Sequence, residues 1–251
     1  MGYNENMNEE RQVREKKLKK ARWYNDRNRI YKACLIYLDL LRQDPNNQAA
    51  LEDLAQIYMD RGDSALAAIC YNWILNSDPT RQDLVLRLAQ GYFQTGNFFL
   101  SLKTLSTIDN WEANYEEESL MAKSQIHVAL GNELESIRLL NQLIEKYPNA
   151  IYFMVLAEML EQLGLYHCAM EACRRGLKRE PYQDELLSLK ARLHLYLGDY
   201  ANSRKIYLKM IKNHMYLEDA RLDLEDFLAE KGNVPDVMAL LRFFDETPEE
   251  D

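Results

Sequence analysis

The sequence predicts an all-α fold, in which tandem helix hairpins stack into a right-handed α-α superhelix, or solenoid. Three observations predict it. Glycines recur about every 34 residues, apolar residues between them recur at helical spacing, and the chain of 251 residues holds only nine Gly and six Pro. A single helix hairpin cannot bury its apolar face, whereas stacked hairpins cover one another.

The glycine period marks the predicted turn inside each hairpin. One period before the first of these glycines stands Asn28, and Gly and Asn are the residues that most readily take the left-handed conformation that ends a helix. Asp or Asn follows the glycine in most repeats, as at Asp63, Asn97 and Asp199, which predicts a side-chain cap on the next helix. The turn glycines, separated by 34, 35, 33, 34 and 34 residues, are Gly62, Gly96, Gly131, Gly164, Gly198 and Gly232.

Apolar residues follow helix spacing on both sides of these turns. After Gly62, a second apolar face runs to Pro79, and Pro45, Pro148 and Pro181 stand at matching points of other repeats. In the first helix of the second repeat, positions i, i+3, i+4 and i+7 form one apolar face. These positions are Leu51, Leu54, Ala55 and Tyr58.

This pattern is similar to that of the tetratricopeptide repeat family, in which apolar and aromatic residues, a turn glycine and a closing proline recur in a fixed order. The resemblance covers residues 14–247, predicted as one domain of about seven repeats. Residues 1–13 are predicted to be a disordered or frayed segment, and residues 248–251 an acidic tail. The predicted repeats are 14–47, 48–81, 82–116, 117–149, 150–183, 184–217 and 218–247.

Three of the repeats depart from the family pattern. The third lacks the closing proline, carries the unusual connection 107–117, and at 35 residues is one longer than the usual period. We expect an irregular connection there that displays Trp111 or Tyr115. The fourth and sixth repeats have Lys where Leu is usual and His where an aromatic residue is usual. These residues are Lys123, His127, Lys190 and His194.

The sequence contains none of the common motifs of catalysis or cofactor binding. It has no GxxxxGK[ST] phosphate loop, no GxGxxG, no HExxH and no GxSxG. We therefore predict a protein that is not an enzyme and that binds no cofactor. Since His127 and His194 are two repeats apart, roughly 20 Å for helices that pack about 8–10 Å from each other, one ion cannot join them and no metal site is predicted.

The charge is unevenly distributed along the chain. The net charge is −9, yet residues 1–32 hold ten Lys or Arg and five Asp or Glu, while the last seven residues hold five acids. An acidic body is expected to repel nucleic acid and attract basic partners. The basic segment Arg11 to Lys32 is interpreted as a polar cap on the array; the alternatives are a docking surface for an acidic partner and a nucleic-acid contact.

The location is predicted to be cytoplasmic. No window approaches 18 uninterrupted apolar residues, so no membrane insertion is expected, and the amino terminus lacks the apolar segment of an export signal. The cysteines have neither metal-binding nor disulfide-scaffold spacing and are expected to be buried thiols. They are Cys34, Cys70, Cys168 and Cys173.

The resemblance implies that the first helices line a concave groove. At the ninth position of successive repeats stand Gln56, Gln90 and Gln125, followed by Glu158 and Arg192. Amide side chains at one period can bond both the N–H and the C=O of an extended peptide. The alternative is that these are solvated helix positions, where Gln and Glu are good helix formers.

Apolar and acidic residues share this mapped face. Adaptable apolar side chains suit variable ligands, and the acids favour a basic or amphipathic segment. The apolar residues are Met59, Leu86, Phe93, Met121, Val128 and Met154. The acids are Glu52, Asp60, Asp83, Glu118, Glu158, Glu161 and Glu185.

Together these features predict a non-catalytic scaffold or adaptor that binds a basic or amphipathic peptide or helix of a partner protein in the concave groove. The predicted contact residues are Gln56, Gln90, Gln125, Phe93, Met121, Met154, Glu158 and Arg192. The alternative is a structural homo-oligomer, in which the basic first hairpin of one copy docks the acidic last hairpin of the next.

Overall fold

The computed structural model describes residues 2–213 and 217–245, and all regular secondary structure within them is α-helix. The helices are α1 (Gly2–Asn25), α2 (Ile30–Gln43), α3 (Gln48–Asp60), α4 (Ser64–Ser77), α5 (Gln82–Gln94), α6 (Phe98–Leu105), α7 (Ala113–Ala129), α8 (Glu133–Lys146), α9 (Ala150–Gln162), α10 (Tyr166–Arg179), α11 (Asp184–Tyr196), α12 (Tyr200–Lys212), α13 (Leu217–Lys231) and α14 (Pro235–Asp245). Each predicted repeat thus holds two helices, and the predicted all-α fold of tandem helix hairpins is confirmed.

The amino-terminal helix is longer than the repeat frame implies. It begins at Gly2, so residues 2–13 are helical in the structure rather than disordered or frayed as expected. No Gly or Pro interrupts residues 3–25, and the Glu, Gln, Arg and Lys in this stretch are good helix formers. The predicted acidic tail, 248–251, lies outside the described residues.

Contacts between helices group the chain into two compact units. The N-terminal unit is Met1–Asn132 and the C-terminal unit is Glu133–Asp251, whereas the sequence predicts one domain. Within each unit every helix packs against the next one along the chain. In addition, α1 packs on α3 and α5 on α7 in the N-terminal unit, and α9 on α11, α11 on α13 and α12 on α14 in the C-terminal unit.

Large aromatic and aliphatic side chains from successive hairpins form the cores of the two units. In the N-terminal unit the main cluster includes the fully buried Tyr37, Tyr71 and Ile74. In the C-terminal unit the cluster includes Tyr207 and Phe227. Because each cluster draws on several hairpins, no hairpin has to form a core alone.

The irregular connection expected in the third repeat is present, but its aromatic residues are not displayed. Helix α6 ends early, at Leu105, and α7 begins at Ala113. Trp111 and Tyr115 are half-buried and pack against a small cluster that contains Leu105 and Ile126. The shortened helix leaves apolar surface uncovered, and the two rings cover it.

All four cysteines are free, but only Cys70 and Cys173 are buried as expected. Burial raises the pKa of Cys70 to about 11 and that of Cys173 to about 12, and it also raises the pKa of the half-buried Cys34. Cys168 is exposed. It lies five residues before Cys173 on α10, which places the two side chains about 140° apart around the helix.

The turn residues adopt the predicted left-handed conformation. The six turn glycines have φ between 71° and 80°, and Asn28 has φ 55°. The cap prediction holds only in part. Asp199 accepts a bond from the Asn202 N–H at 3.3 Å, but the side chains of Asp63 and Asn97 make no such bond. Asn97 instead donates to the Thr95 hydroxyl at 2.9 Å, a local bond that competes with capping.

We expect Gly96→Ala to lower the free energy of unfolding by about 1 kcal/mol, because an L side chain is strained at positive φ. The φ of Gly96 is 75°, and an added Cβ would meet no atom within 4 Å, so the strain is of the backbone alone. Urea denaturation measures the loss. The matched control is Asn28→Gly, which relieves the same strain and should leave stability equal or higher; a fall of similar size in both variants would contradict the interpretation.

Candidate partner-binding faces

The predicted site residues lie on the first helices of the repeats, in both compact units. We call these surfaces the N-terminal and C-terminal first-helix faces. The N-terminal face lies on α3, α5 and α7 and carries Gln56, Gln90, Phe93, Met121 and Gln125. The C-terminal face lies on α9, α11 and α13 and carries Met154, Glu158 and Arg192.

The three glutamines of the N-terminal face are all exposed, but they differ in their bonding. Gln56 accepts a bond from Arg87 Nη1 at 2.7 Å and donates to Asp60 Oδ1 at 2.8 Å. The side-chain amides of Gln90 and Gln125 make no hydrogen bond within residues 2–213 and 217–245. Two of the three amides are therefore available to a peptide backbone, and the third is engaged within the chain.

The apolar part of the N-terminal face is smaller than predicted. Leu86, expected to face a ligand, is only 6 % exposed, because it packs with Leu105 and Ile126. Phe93 and Met121 are half-buried, and the Phe93 ring lies 5.3 Å from that of Phe98. Phe93 and Met121 thus keep part of their surface for a partner, whereas Leu86 belongs to the core.

An arginine that the sequence interpretation missed pairs two of the predicted acids. Arg81, the residue before α5, donates to Glu52 at 3.0 Å and to both carboxylate oxygens of Asp83 at 2.7 and 2.9 Å. These bonds hold the pKa of Asp83 below its usual value. Since Glu52 and Asp83 already have a cation, they add little to the attraction of a basic partner.

The C-terminal face is built around Arg192 on α11. Its Nε and Nη2 donate to the two carboxylate oxygens of Glu161 on α9, at 2.8 and 2.7 Å, and its Nη1 donates to Asp223 on α13 at 2.7 Å. Asp223 also accepts a bond from the Ser188 hydroxyl at 2.9 Å. Arg192 therefore links three successive first helices, a structural role that the sequence interpretation did not assign to it.

The spacing of these bonds is a signal that could have located them. Arg192 is 31 residues from both Glu161 and Asp223, and the pair Arg22–Asp53 in the N-terminal unit has the same separation. A separation of 31 is one helical turn short of the repeat. A search for opposite charges at this offset would have identified Asp223, which was absent from the predicted face.

Glu158 is the acid of the C-terminal face that remains without a direct partner in the described residues. It is exposed, yet surrounding protein atoms partly desolvate its carboxyl and raise its pKa; Arg192 acts to lower it, and the charge of Glu161 raises it further. One guanidinium is thus shared by three carboxylates, and this face keeps an excess of negative charge.

In residues 2–213 and 217–245, no three His, Cys, Asp or Glu side chains come together in a group that could hold a metal ion. His194 instead has its Nδ1 3.0 Å from Asp199. None of the helices in these ranges combines the length and the apolar character that a membrane crossing requires.

Tandem hairpins with exposed polar first-helix faces define a helical-repeat protein of the kind that binds other macromolecules through extended surfaces. Residues 121–184 match the tetratricopeptide repeat family. This region therefore carries the repeat pattern of the family, and the fourteen helices of the described residues are consistent with about seven such repeats. Proteins with this repeat generally mediate protein–protein interaction, and their fold is typically a non-catalytic scaffold.

Similar solved structures support the fold alone, because their sequence identities are low. A tetratricopeptide repeat protein from Parabacteroides merdae is 18 % identical, covers 94 % of this chain and 100 % of its own, and has a TM-score of 0.65. PilF of Pseudomonas aeruginosa is 15 % identical over 87 % of this chain and 98 % of its own, with a TM-score of 0.64. PilW, a type IV pilus biogenesis factor, is 16 % identical over 92 % and 99 %, with a TM-score of 0.61. The search of curated proteins gives no match.

Proposed function

We propose that this protein is a non-catalytic scaffold or adaptor of the cytoplasm, which binds a basic or amphipathic segment of a partner protein through the exposed surfaces of its first helices. The observation that carries the proposal is the charge balance around Arg192, where one guanidinium serves Glu161, Asp223 and the nearby Glu158. A Lys or Arg of the partner beside Glu158 supplies the missing cation.

The N-terminal first-helix face supplies the second part of the proposed interaction. Gln90 and Gln125 each present an amide that can donate and accept, and both are exposed. The half-buried Phe93 and Met121 offer apolar surface for the other side of an amphipathic segment. This face therefore favours the apolar side of an amphipathic segment, with two amides for its backbone.

The cytoplasmic location is supported by the thiols. All four cysteines are free, including the exposed Cys168, which fits a reducing compartment.

The alternative, head-to-tail assembly through the basic first hairpin, has less support. Arg14, Lys17 and Arg22 of α1 are already paired with Asp44, Asp39 and Asp53, at 3.2, 2.6 and 2.7 Å. These bonds reduce the charge available to another copy. The acidic end of the chain, residues 246–251, lies outside the described residues.

Glu158→Gln is expected to weaken binding of a basic amphipathic peptide about three- to fivefold, because it removes one exposed charge pair. The probe is a fluorescent 20-residue peptide with Lys and Leu at helical spacing, and binding is measured by fluorescence anisotropy at low and at physiological salt. The companion probe has Glu in place of Lys and should bind at least tenfold more weakly.

The matched control is Glu145→Gln, an exposed glutamate of α8 in the same unit that is not on a first helix. It should leave peptide binding within twofold of the unmodified protein. Equal effects of the two substitutions, or equal affinity for the basic and the acidic peptide, would defeat the proposed charge recognition. A Gln90→Ala/Phe93→Ala/Gln125→Ala variant tests the N-terminal face in the same assay and should also bind more weakly.

A further inference from the structure

The second helices of the N-terminal unit expose an unusual amount of apolar surface. On α4 the exposed large apolar residues are Leu66, Ile69 and Trp73, between 44 and 60 % accessible. They lie at i, i+3 and i+7, along one side of the helix. We define the second-helix apolar face as these residues together with the exposed apolar residues of α2 and α6.

Helix α2 extends this face with Tyr31, Leu35 and Leu38, and α6 extends it with Phe99 and Leu100. The 34-residue spacing of the repeats indicates that these side chains lie on the same side of successive second helices. Leu35 and Ile69 are 34 residues apart, as are Leu66 and Leu100, so each pair occupies one position of the repeat. The eight side chains therefore form one surface across three neighbouring hairpins.

We propose that a second copy of this chain covers the second-helix apolar face, in a symmetric dimer whose two-fold axis passes at α4. The proposal concerns a different surface from the first-helix faces, and it does not depend on the adaptor function proposed above.

The charge of α4 favours a second copy as the occupant. None of the fourteen residues of α4 is an Asp, Glu, Lys, Arg or His, so the helix carries no side-chain charge at neutral pH, although 28 % of the chain is charged and its net charge is −9. Two copies that meet through most other surfaces bring like charges together. A residue on a two-fold axis meets its own counterpart in the other copy, so an uncharged helix on the axis avoids that repulsion. The charged residues Lys32, Arg42 and Lys103 lie instead on the flanking helices α2 and α6.

The extent of the face also matches a dimer. At 150–250 Å² for a whole large side chain, the eight partly exposed residues present on the order of 800 Å² of apolar surface. This is roughly what each partner contributes to a standard stable interface, about 800 Å². Soluble monomers rarely leave a patch of this size open to water.

A groove beside α4 provides a complementary shape. It has a volume of about 360 Å³, and Ile69, Trp73 and Tyr92 line it together with the amides of Asn72 and Asn76. Trp73 is held in place by a bond from its Nε1 to Asn46 Oδ1 at 3.1 Å. The side chain of Phe99, which is 74 % exposed, projects from the same face. In the dimer it fits into the groove of the other copy, and the two-fold symmetry makes this contact twice.

Sedimentation velocity from about 1 to 100 µM tests the proposal. The unmodified chain should dimerise, and the dimer should persist or strengthen at high salt, since apolar association is not screened. Ile69→Glu and Phe99→Glu, made separately, should each weaken dimerisation at least tenfold. Both side chains are exposed, and circular dichroism checks that the variants stay folded.

The matched control is Ile151→Glu, which changes an exposed isoleucine of α9 that is outside the face and should leave the dimer unchanged. A chain that stays monomeric up to 100 µM would overturn the proposal, and the face would then belong to a different protein. Association that disappears at high salt, or that survives both Ile69→Glu and Phe99→Glu, would point to head-to-tail assembly and would equally overturn it.

Discussion

Arg192→Met is expected to lower the free energy of unfolding by about 3 kcal/mol, because it leaves two carboxylates without their cation in a mostly buried setting. The side chains of Glu161 and Asp223 are only 13 and 12 % exposed. Methionine keeps much of the length and apolar contact of the arginine stem, so the change tests the charge. Urea denaturation at neutral pH gives the difference.

The pH dependence of this variant provides a second measurement. Burial raises the pKa of Asp223, while Arg192 acts to lower it; the substitution therefore raises the folded-state pKa further. A carboxyl whose pKa is higher in the folded state contributes stability at acidic pH and loses it as the pH rises. The deficit of Arg192→Met should thus be largest near neutral pH and shrink as the pH falls toward the usual aspartate pKa near 4.

Two comparisons separate the network from general surface effects. Arg87→Met removes an exposed arginine that donates to Gln56 at 2.7 Å, and it should cost less than about 1 kcal/mol. Arg192→Met/Glu161→Gln/Asp223→Asn removes the charges together and should recover much of the loss. Equal costs for Arg87→Met and Arg192→Met would contradict the structural role of Arg192.

Phe227→Ala is expected to cost about 4 kcal/mol, in the range for deleting a buried ring. Phe227 is 2 % exposed, and its ring packs edge-on against those of Tyr196 at 5.4 Å and Tyr200 at 6.3 Å. The last hairpin, α13 and α14, packs on α11 and α12. Because stability in a repeat array depends on contacts between neighbours, this hairpin should open first, and hydrogen exchange should show the largest loss of protection in α13 and α14.

Leu222→Ala is the control for that experiment, since Leu222 lies on the same helix but is half exposed. It should change stability by less than about 0.5 kcal/mol. Uniform loss of protection across the C-terminal unit after Phe227→Ala would show that the last hairpin does not unfold separately.

The helix boundaries were largely predictable because the signals that set them are local. A glycine or asparagine at positive φ ends the first helix of each repeat, and this requirement can be read from residue type alone, as at Gly62 and Asn28. The length of α1 and the early end of α6 were not predicted. Both helices differ in length from the corresponding helices of the other repeats, so helix boundaries inferred from those repeats could not predict them.

The candidate site was less predictable, because side-chain availability depends on neighbouring helices. The frame placed Gln90 and Gln125 on an exposed face, and they are exposed. It also placed Leu86 there, although contacts from α6 and α7 bury it. Arg192 was mapped as a contact for a ligand, yet Glu161 and Asp223 from the adjacent helices occupy its guanidinium.

By itself the sequence determined the hairpin period, the turn residues and the faces of the individual helices, since all three depend on residues within one turn or one repeat. The tertiary structure alone decided which side chains on those faces are still available. Pairs such as Arg192 and Asp223, 31 residues apart, form only when the first helices of successive repeats pack side by side. The sequence shows that α4 is uncharged, but only the structure shows that its large apolar side chains remain about half exposed to solvent.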